Sequence, residues 1–421
     1  MYFGYKISDE TARLAEIAEQ DCLPVFKKID ENALLCSAKV LSAFQECRVS
    51  TTDFIEVTGY GYTDDGRDKL EQVYAKVFGA EDALVRPQLM SGTHALAVTL
   101  FGLLKHGQTL VYVSGEPYDT LRSVIGTAGY SRNSLIKNGI KYEEIDLKGD
   151  EFDLDAIRAR FSGEFVRVAA IQRSRGYAQR RSLTIDQIAE AIAVIKEVSP
   201  DTVIMVDNCY GEFTEDREPT DVGADVFVGS MMKNLGAGFA VSGGYCVGRA
   251  DVIEDIAERL TAPCVGKSLG ANFNQLASFY KGFFMAPTTV AATLKSMVFA
   301  SRLLELCGFD SVKPRYDEKR TDIVQTVDLL SADKLIKFCV GIQKGSPVEA
   351  YATPEPGEMP GYPHEEIMAA GTFVTGATNE LSCDGPVVAP FTAYMQGGLS
   401  YDYGKLGVMR AVDEMFDRVV E

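Results

Sequence analysis

Three short segments of the chain combine residue types that can do chemistry. Ser91, Gly92 and Thr93 offer two hydroxyl groups around a residue without a side chain, which suits an anion such as a phosphate ester at a helix start. Asp207 offers a carboxylate that can keep a pyridine nitrogen protonated. Lys233 offers an amine, and we expect burial near apolar or cationic groups to lower its pKa so that it becomes a nucleophile.

Each of these segments also has an ordinary structural explanation. Ser91 can cap a helix, Asp207 can cap a loop, and most lysines are solvated surface residues. The prediction of a site therefore depends on their order: a phosphate-binding turn, an aspartate at the end of a strand, and Lys233 about 26 positions later. His94 could stack on a ring, but its position just inside a helix start favours a structural role.

The elements around these segments must bring them together. Short apolar runs predict buried strands, and amphipathic patterns between them predict helices, such as the one behind the capping box of Thr184 and Gln187. This alternation predicts an α/β fold with a mostly parallel sheet wrapped by helices, in which ligands bind at the carboxyl ends of the strands. The predicted strands are Ala83–Arg86, Thr109–Val113, Val166–Ile171, Thr202–Val206 and Val226–Val228.

Three regions of the chain differ in their sequence patterns. Residues 1–55 are predicted to form an N-terminal helical segment with two helices, the second over Val25–Glu46. Residues 56–300 are predicted to form the large domain. Residues 301–421, with a predicted strand at Thr321–Val327 and Gly/Pro-rich connections, are expected to form a smaller C-terminal α+β domain.

Composition argues against several other classes of protein. The chain has 46% hydrophobic and 24% charged residues, as globular proteins do, and its formal net charge of -18 argues against a nucleic-acid partner. The longest apolar run, Ala95–Leu104, is far shorter than the roughly 20 residues of a membrane span. Without a secretory signal, we expect a cytoplasmic protein with no membrane segment. Nine cysteines without a CxxC pair and three scattered histidines predict no disulfide framework and no protein-bound metal.

The order of the three segments is that of pyridoxal 5'-phosphate (PLP) enzymes of the aspartate aminotransferase fold, known as fold type I. The chain resembles the Cys/Met-metabolism branch of this fold. It is more closely similar to the family of methionine γ-lyases and cystathionine β-lyases linked to aluminium resistance, over nearly its whole length. The most specific stretches are Gly59–Tyr62, Gly66–Asp68, Ser91–Ala95, Gln172–Tyr177 and Val206–Glu212.

This resemblance implies PLP as the cofactor and a role for individual residues. Lys233 would bind the cofactor covalently, and Asp207 would pair with its pyridine nitrogen. Tyr118 would stack on one face of the ring, with Cys209 on the other; a core aromatic is the alternative for Tyr118. The implied phosphate contacts are Ser91, Gly92, Thr93 and Ser230.

Two further implications concern a neighbouring subunit and the substrate. Tyr60 and Tyr62 match positions from which a second subunit contacts the phosphate, which implies a homo-oligomer, either a dimer or a tetramer. The branch usually has arginine in place of Tyr62. Tyr394 stands where an arginine usually grips the substrate carboxylate, so Arg173 or Arg175 is a candidate for a bidentate clamp instead.

The predicted function is that of a PLP-dependent carbon–sulfur lyase. An amino acid of the cystathionine, cysteine or methionine type would displace Lys233, whose freed amine would remove the α-proton before a sulfur group leaves. Elimination at the β or γ carbon remains open. The alternatives are another PLP reaction, as in an aminotransferase, aldolase or desulfurase, and a PLP-binding protein with little turnover that acts in metal tolerance.

Overall fold

Residues 4–60, 64–358 and 364–418 are described by the computed structural model of the protein. Their contacts divide the chain into a central unit, Leu35–Phe284, and a second unit formed by Met1–Leu34 and Met285–Glu421. The predicted N-terminal segment is therefore not a region of its own, because the chain up to Leu34 groups with the C-terminal part. The boundary predicted near residue 300 lies earlier, after Phe284.

A single helix, α1 (Asp9–Glu46), occupies the N-terminal region, so the prediction of two helices was wrong. Pro24 lies inside it, where a proline removes one helix hydrogen bond and would be expected to kink or end the helix. Packing explains the continuation: Cys22 and Phe26, on either side of Pro24, are both buried in the same apolar cluster. Tertiary contacts outweigh the local preference of proline here.

Seven strands form the sheet of the central unit, in the order β1-β7-β6-β5-β4-β2-β3. The strands β2 to β6 run parallel to one another, whereas β7 is antiparallel to both β1 and β6. The strands are β1 (Asp82–Arg86), β2 (Thr109–Tyr112), β3 (Lys141–Glu144), β4 (Val168–Gln172), β5 (Val203–Asp207), β6 (Val226–Ser230) and β7 (Gly244–Gly248). The predicted α/β class with a mostly parallel sheet is confirmed.

Helices connect these strands and cover the sheet. They are α2 (Asp65–Val77), α3 (Gly92–Leu103), α4 (Asp119–Ile125), α5 (Leu154–Phe161), α6 (Ile185–Val198) and α7 (Ala250–Leu260). The predicted capping box at the start of α6 is present, with the Thr184 hydroxyl accepting from the backbone of Gln187 and the Gln187 side chain bonding back. The apolar residues of α3, α4 and α7 pack with β2, β4, β5 and β6 into one core cluster.

Among the described residues, one helix, α8 (Leu276–Leu306), is long and apolar enough to cross a membrane by length and composition. In the structure, 72% of its most apolar window is buried inside the protein. A mostly buried core helix meets the same criteria of length and hydropathy, so this helix is weak evidence for a membrane span.

The second unit contains an antiparallel sheet in the order β10-β11-β12-β13-β9-β8. Its strands are β8 (Val312–Lys313), β9 (Gln325–Asp328), β10 (Gly357–Glu358), β11 (Glu365–Ala369), β12 (Ser382–Pro386) and β13 (Thr392–Gln396), and its further helices are α9 (Ala332–Lys344) and α10 (Tyr401–Met415). The strand predicted at Thr321–Val327 begins only at Gln325. Before it, the Asp322 carboxylate accepts from the backbone of Val324, which forms a turn instead of extended strand.

Candidate active site

Asp207 is the last residue of β5 and lies at the edge of the sheet where the parallel strands end. Its side chain is buried, and its Oδ1 atom accepts a hydrogen bond from the backbone N–H of Cys209 at 3.1 Å. Burial raises the pKa of Asp207, while the nearby Lys233 cation and the hydrogen bond from Cys209 lower it, and the net effect is a rise. A carboxyl group in this setting can share a proton with a ligand nitrogen.

Lys233 follows β6 and faces the residues after β5. Its Nζ atom lies 3.9 Å from the centroid of the Tyr210 ring. Burial lowers the pKa of Lys233, but Cys209, Tyr210 and Asp207 together raise it, and the net effect is a rise. The expectation of a lowered pKa was therefore wrong, because groups that carry or develop negative charge surround the amine.

The predicted phosphate-binding segment forms the start of α3. Ser91 is the N-cap, and its hydroxyl accepts from the backbone N–H of His94 at 3.1 Å. Thr93 is linked to Thr120 by a hydrogen bond of 2.8 Å between their hydroxyl oxygens. The Nδ1 atom of His94 accepts from the backbone of Met90 at 3.2 Å, which agrees with the structural role favoured for this histidine.

Gly92 brings this helix start into contact with the other two segments. A Cβ atom at Gly92 would lie 3.2 Å from the Cys209 sulfur and 3.4 Å from the Ser230 Cβ. The start of α3, the turn after β5 and the end of β6 therefore converge closely. This convergence is the cradle that a phosphate at a helix N-terminus requires, because backbone N–H groups stay accessible where no side chain intervenes.

Tyr118 lies before α4, at the edge of a cavity of about 770 Å³ in the central unit. Its backbone N–H donates to the side-chain oxygen of Gln172 at 2.6 Å, and its ring stacks on Tyr177 with centroids 6.0 Å apart. Arg175 and Arg180 also line this cavity. Tyr118 is therefore a cavity residue, and the alternative of a core aromatic does not describe it.

The two arginines considered for the substrate carboxylate have different surroundings. Arg173 is completely buried, and its guanidinium donates to Glu215 at 2.8 Å, to Asn208 at 2.8 Å and to Glu218 at 3.4 Å. Because the protein already occupies this guanidinium, the structure contradicts Arg173 as a substrate clamp. Arg175 lines the cavity beside Tyr118 and stays a prediction for that role.

The remaining predicted site residues are Tyr60, Tyr62 and Tyr394. Tyr60 is 84% exposed and forms an isolated bridge with Leu269. Tyr62 lies outside the described residues. Tyr394 is buried in β13 of the second unit, where it pairs with Thr326 and Asp384 on the neighbouring strands.

Four residues of this region were not predicted individually. Tyr210 contacts Lys233, Gln172 holds Tyr118, and Glu212 and Tyr112 are buried close enough to affect their neighbours electrostatically. The Tyr112 hydroxyl has no hydrogen-bond partner among the described residues, and its pKa is raised by burial and by Asp207. Tyr112 and Gln172 are the last residues of β2 and β4, and Tyr210 lies in the turn after β5, so a position at a strand end was the available sequence signal for these three. Glu212 lies further along the turn after β5.

These groups fit the cofactor that the sequence implies. The segment around Gly92, together with Ser230, would hold the phosphate, and Asp207 would hold the pyridine nitrogen. Tyr118 and Cys209 would flank the ring, and Lys233 would form the covalent bond. The observation behind this fit is the space that Gly92 leaves beside Cys209 and Ser230.

Known proteins resemble this chain over almost its whole length. The family model described as methionine gamma-lyase matches residues 11–416. The uncharacterized protein YnbB of Bacillus subtilis strain 168 is 46% identical over 402 residues, which are 95% of each chain. A solved structure of a carbon-sulfur lyase involved in aluminum resistance from Clostridium novyi NT is 45% identical, with a TM-score of 0.93, and the match covers 97% of this chain and 96% of that one.

A more distant structure shares the fold. The pyridoxal-5'-phosphate dependent protein YhfS from Escherichia coli is 20% identical, with a TM-score of 0.62 over 93% of this chain and 97% of that chain. At this identity the likeness concerns the arrangement of strands and helices.

Proposed function

Since this chain belongs to the methionine γ-lyase family, we propose that it is a PLP-dependent carbon–sulfur lyase that acts on a sulfur-containing amino acid. The observation that carries the proposal is the meeting of Gly92, Cys209 and Ser230 beside Asp207 and Lys233. The activity named for the similar Clostridium novyi protein, a carbon-sulfur lyase, supports the reaction class.

The cofactor is pyridoxal 5'-phosphate. When bound, it withdraws electrons from the α-carbon of an amino acid and so stabilises the negative charge left by loss of a proton. The protein contributes to this effect through Asp207, which would keep a proton on the pyridine nitrogen. Burial makes this contribution strong, because little water competes for the carboxylate.

Proton transfer and orientation would fall to other residues. The Lys233 nitrogen would take the α-proton of the substrate as a general base. Tyr210 would keep the lysine side chain over its ring. Arg175, at the cavity wall with Tyr118, would bind the substrate carboxylate through its planar guanidinium.

Other reactions begin with the same removal of a proton. Transamination, aldol cleavage and desulfuration need the same aspartate and lysine, so Asp207 and Lys233 alone do not favour elimination over them. The carbon–sulfur lyase proposal therefore depends on the products: elimination gives ammonia, a keto acid and a thiol or sulfide, whereas transamination releases neither ammonia nor a sulfur group.

The test compares wild-type protein with Lys233→Ala and Lys281→Ala. Lys281 is a matched control, because its Nζ atom also lies over an aromatic ring, 4.6 Å from the centroid of Phe239, but it is outside the predicted site. We expect the visible absorption of covalently bound PLP in wild type and in Lys281→Ala, and its loss in Lys233→Ala. Release of ammonia, and of thiol from cystathionine or methionine or of sulfide from cysteine, should follow the same pattern. PLP absorption in Lys233→Ala equal to wild type would reject the assignment.

We also propose that the active protein is a homo-oligomer. The 84% exposed ring of Tyr60 supports this proposal, because the family places a subunit contact at this position. Mixing inactive Lys233→Ala protein with a Tyr60→Ala variant should restore part of the activity if sites are shared between subunits. A fully active monomer in sedimentation experiments would contradict the proposal.

A further inference from the structure

Glu212 is a fully buried carboxyl group that the proposed reaction does not use. Its Oε1 atom accepts a hydrogen bond from the Tyr245 hydroxyl at 2.5 Å. Its Oε2 atom has no hydrogen-bond partner among the described residues. A buried polar atom without a partner destabilises the folded protein, so a second role for this carboxyl group is worth seeking.

Glu212 and Tyr245 lie close to the chain segment that carries Lys233. A Cβ atom at Gly229 would lie 2.3 Å from the Tyr245 hydroxyl oxygen, so a side chain there would displace the phenol. Gly229 belongs to β6, the strand that leads to Lys233. The backbone oxygen of Glu212 accepts from the side-chain nitrogen of Asn234, the residue after Lys233, at 3.0 Å. Glu212 is therefore tied to the segment that carries the lysine.

Titratable groups from several elements face Glu212. Among the groups that shift its pKa, Lys233 carries the positive charge. Burial raises the pKa of Glu212 to about 8; the Tyr245 hydrogen bond lowers it, Glu218 raises it and Lys233 lowers it. The titratable neighbours are Tyr74 of α2, Cys209 and Glu218 after β5, Lys233 after β6 and Tyr245 of β7.

We propose that Glu212 is a positioning residue whose own proton sets the charge next to Lys233. When Glu212 is protonated and neutral, Asp207 is the carboxylate that acts on Lys233. Without its proton, Glu212 adds a second negative charge, which favours the ammonium form of Lys233 over the neutral amine that attacks a carbonyl carbon. Above the pH at which Glu212 loses its proton, a smaller fraction of Lys233 is therefore neutral than would be without this second charge. This inference rests on the proposed function, because it takes Lys233 as the residue that binds PLP.

The test follows the pH dependence of PLP uptake by full-length protein from which PLP has been removed. The rate at which visible absorption appears reports the neutral fraction of Lys233. Glu212→Gln keeps the shape of the side chain and an acceptor for Tyr245 but has no titrating proton. We expect its rate relative to wild type to be near one at about pH 6.5 and several-fold higher at about pH 9. The control is Asp216→Asn, an exposed carboxylate of the same segment, which should give a ratio near one at both.

A ratio of rates that is equal at both pH values would overturn the inference, whatever its size, because a structural defect does not follow the proton of Glu212. Tyr245→Phe provides a second variant. Loss of its hydrogen bond lets Glu212 keep its proton to higher pH, so the ratio should rise above one between about pH 8 and 9, and a flat ratio contradicts the inference. Wild-type protein without visible absorption at any pH would overturn the proposed function as well, whereas normal absorption with flat ratios leaves that function standing.

Discussion

Gln172 and Asp207 are paired residues at the carboxyl ends of the neighbouring parallel strands β4 and β5. The side-chain oxygen of Gln172 accepts from the backbone N–H of Tyr118 at 2.6 Å, and its nitrogen donates to the backbone of Ser174 at 3.0 Å. The residue next to Asp207 thus holds the segment that carries Tyr118. Gln172 therefore lies beside the residue proposed to contact the PLP nitrogen and holds the segment proposed to contact the face of the ring.

Replacing Gln172 by alanine is expected to weaken PLP binding about tenfold, since releasing Tyr118 removes one preorganised ring contact. If Gln172 acts through Tyr118, the double variant with Tyr118→Ala should bind only slightly more weakly than Tyr118→Ala alone. Equilibrium titration of PLP-free protein gives the four affinities. Strictly additive losses would show that the two residues act independently.

The buried network around Arg173 should dominate the stability of the turn after β5. Arg173→Met leaves Glu215 and Glu218 as buried carboxylates without their cation, which costs about 3–5 kcal/mol of unfolding free energy. Chemical denaturation measures this loss. Arg217→Ala removes an exposed ion pair with Asp186 and should leave the unfolding midpoint unchanged. Equal midpoints for both variants would mean that the network contributes little.

Adding one methyl group at Gly92 should weaken PLP binding without unfolding the protein. The new Cβ atom would lie 3.2 Å from the Cys209 sulfur, so the turn after β5 or the start of α3 must shift by a few tenths of an ångström. We expect about a tenfold loss of affinity in titrations with PLP. Gly163→Ala is the control, because its Cβ would make an ordinary contact of 3.5 Å with the Arg160 oxygen. Unchanged affinity in Gly92→Ala would argue against a phosphate at this helix start.

The pH dependence of stability should carry the signature of Glu212, whose pKa burial raises from 4.5 to about 8. Between these values the folded protein keeps the proton that the unfolded chain loses, so stability falls as pH rises. The difference in unfolding free energy, wild type minus Glu212→Gln, should therefore fall by up to about 1.4 kcal/mol per pH unit from about pH 5 to pH 8, then level off. Urea denaturation across this range provides the measurement, and a constant difference would place the proton elsewhere.

The meeting of the predicted segments could be anticipated from sequence, because parallel strands bring their carboxyl ends to one edge of a sheet. The residues directly beyond the strand ends were harder to assign. β4 ends at Gln172, so strand alternation no longer says where the next side chains point. Arg173 turns into the buried network and Arg175 lines the cavity, although both looked equally suited to a carboxylate.

The charge around Lys233 shows a second limit of sequence reasoning. Its sequence neighbours Met231, Met232 and Leu235 are apolar and suggested a lowered pKa. The groups that raise its pKa come from the turn after β5, far away in the chain and close in space. Only the fold reveals that Tyr210 and Asp207 face the amine.

The positions of α1 and α8 have a consequence for the design of truncated fragments. Each helix runs through a boundary between the units, since α1 spans Asp9–Glu46 around Leu34 and α8 spans Leu276–Leu306 around Phe284. A fragment limited to 35–284 would begin and end inside helices, with the last turns deprived of the residues that complete their hydrogen bonds. Trimming this protein to its central unit therefore calls for both helices to be kept whole, from Asp9 to Glu46 and from Leu276 to Leu306.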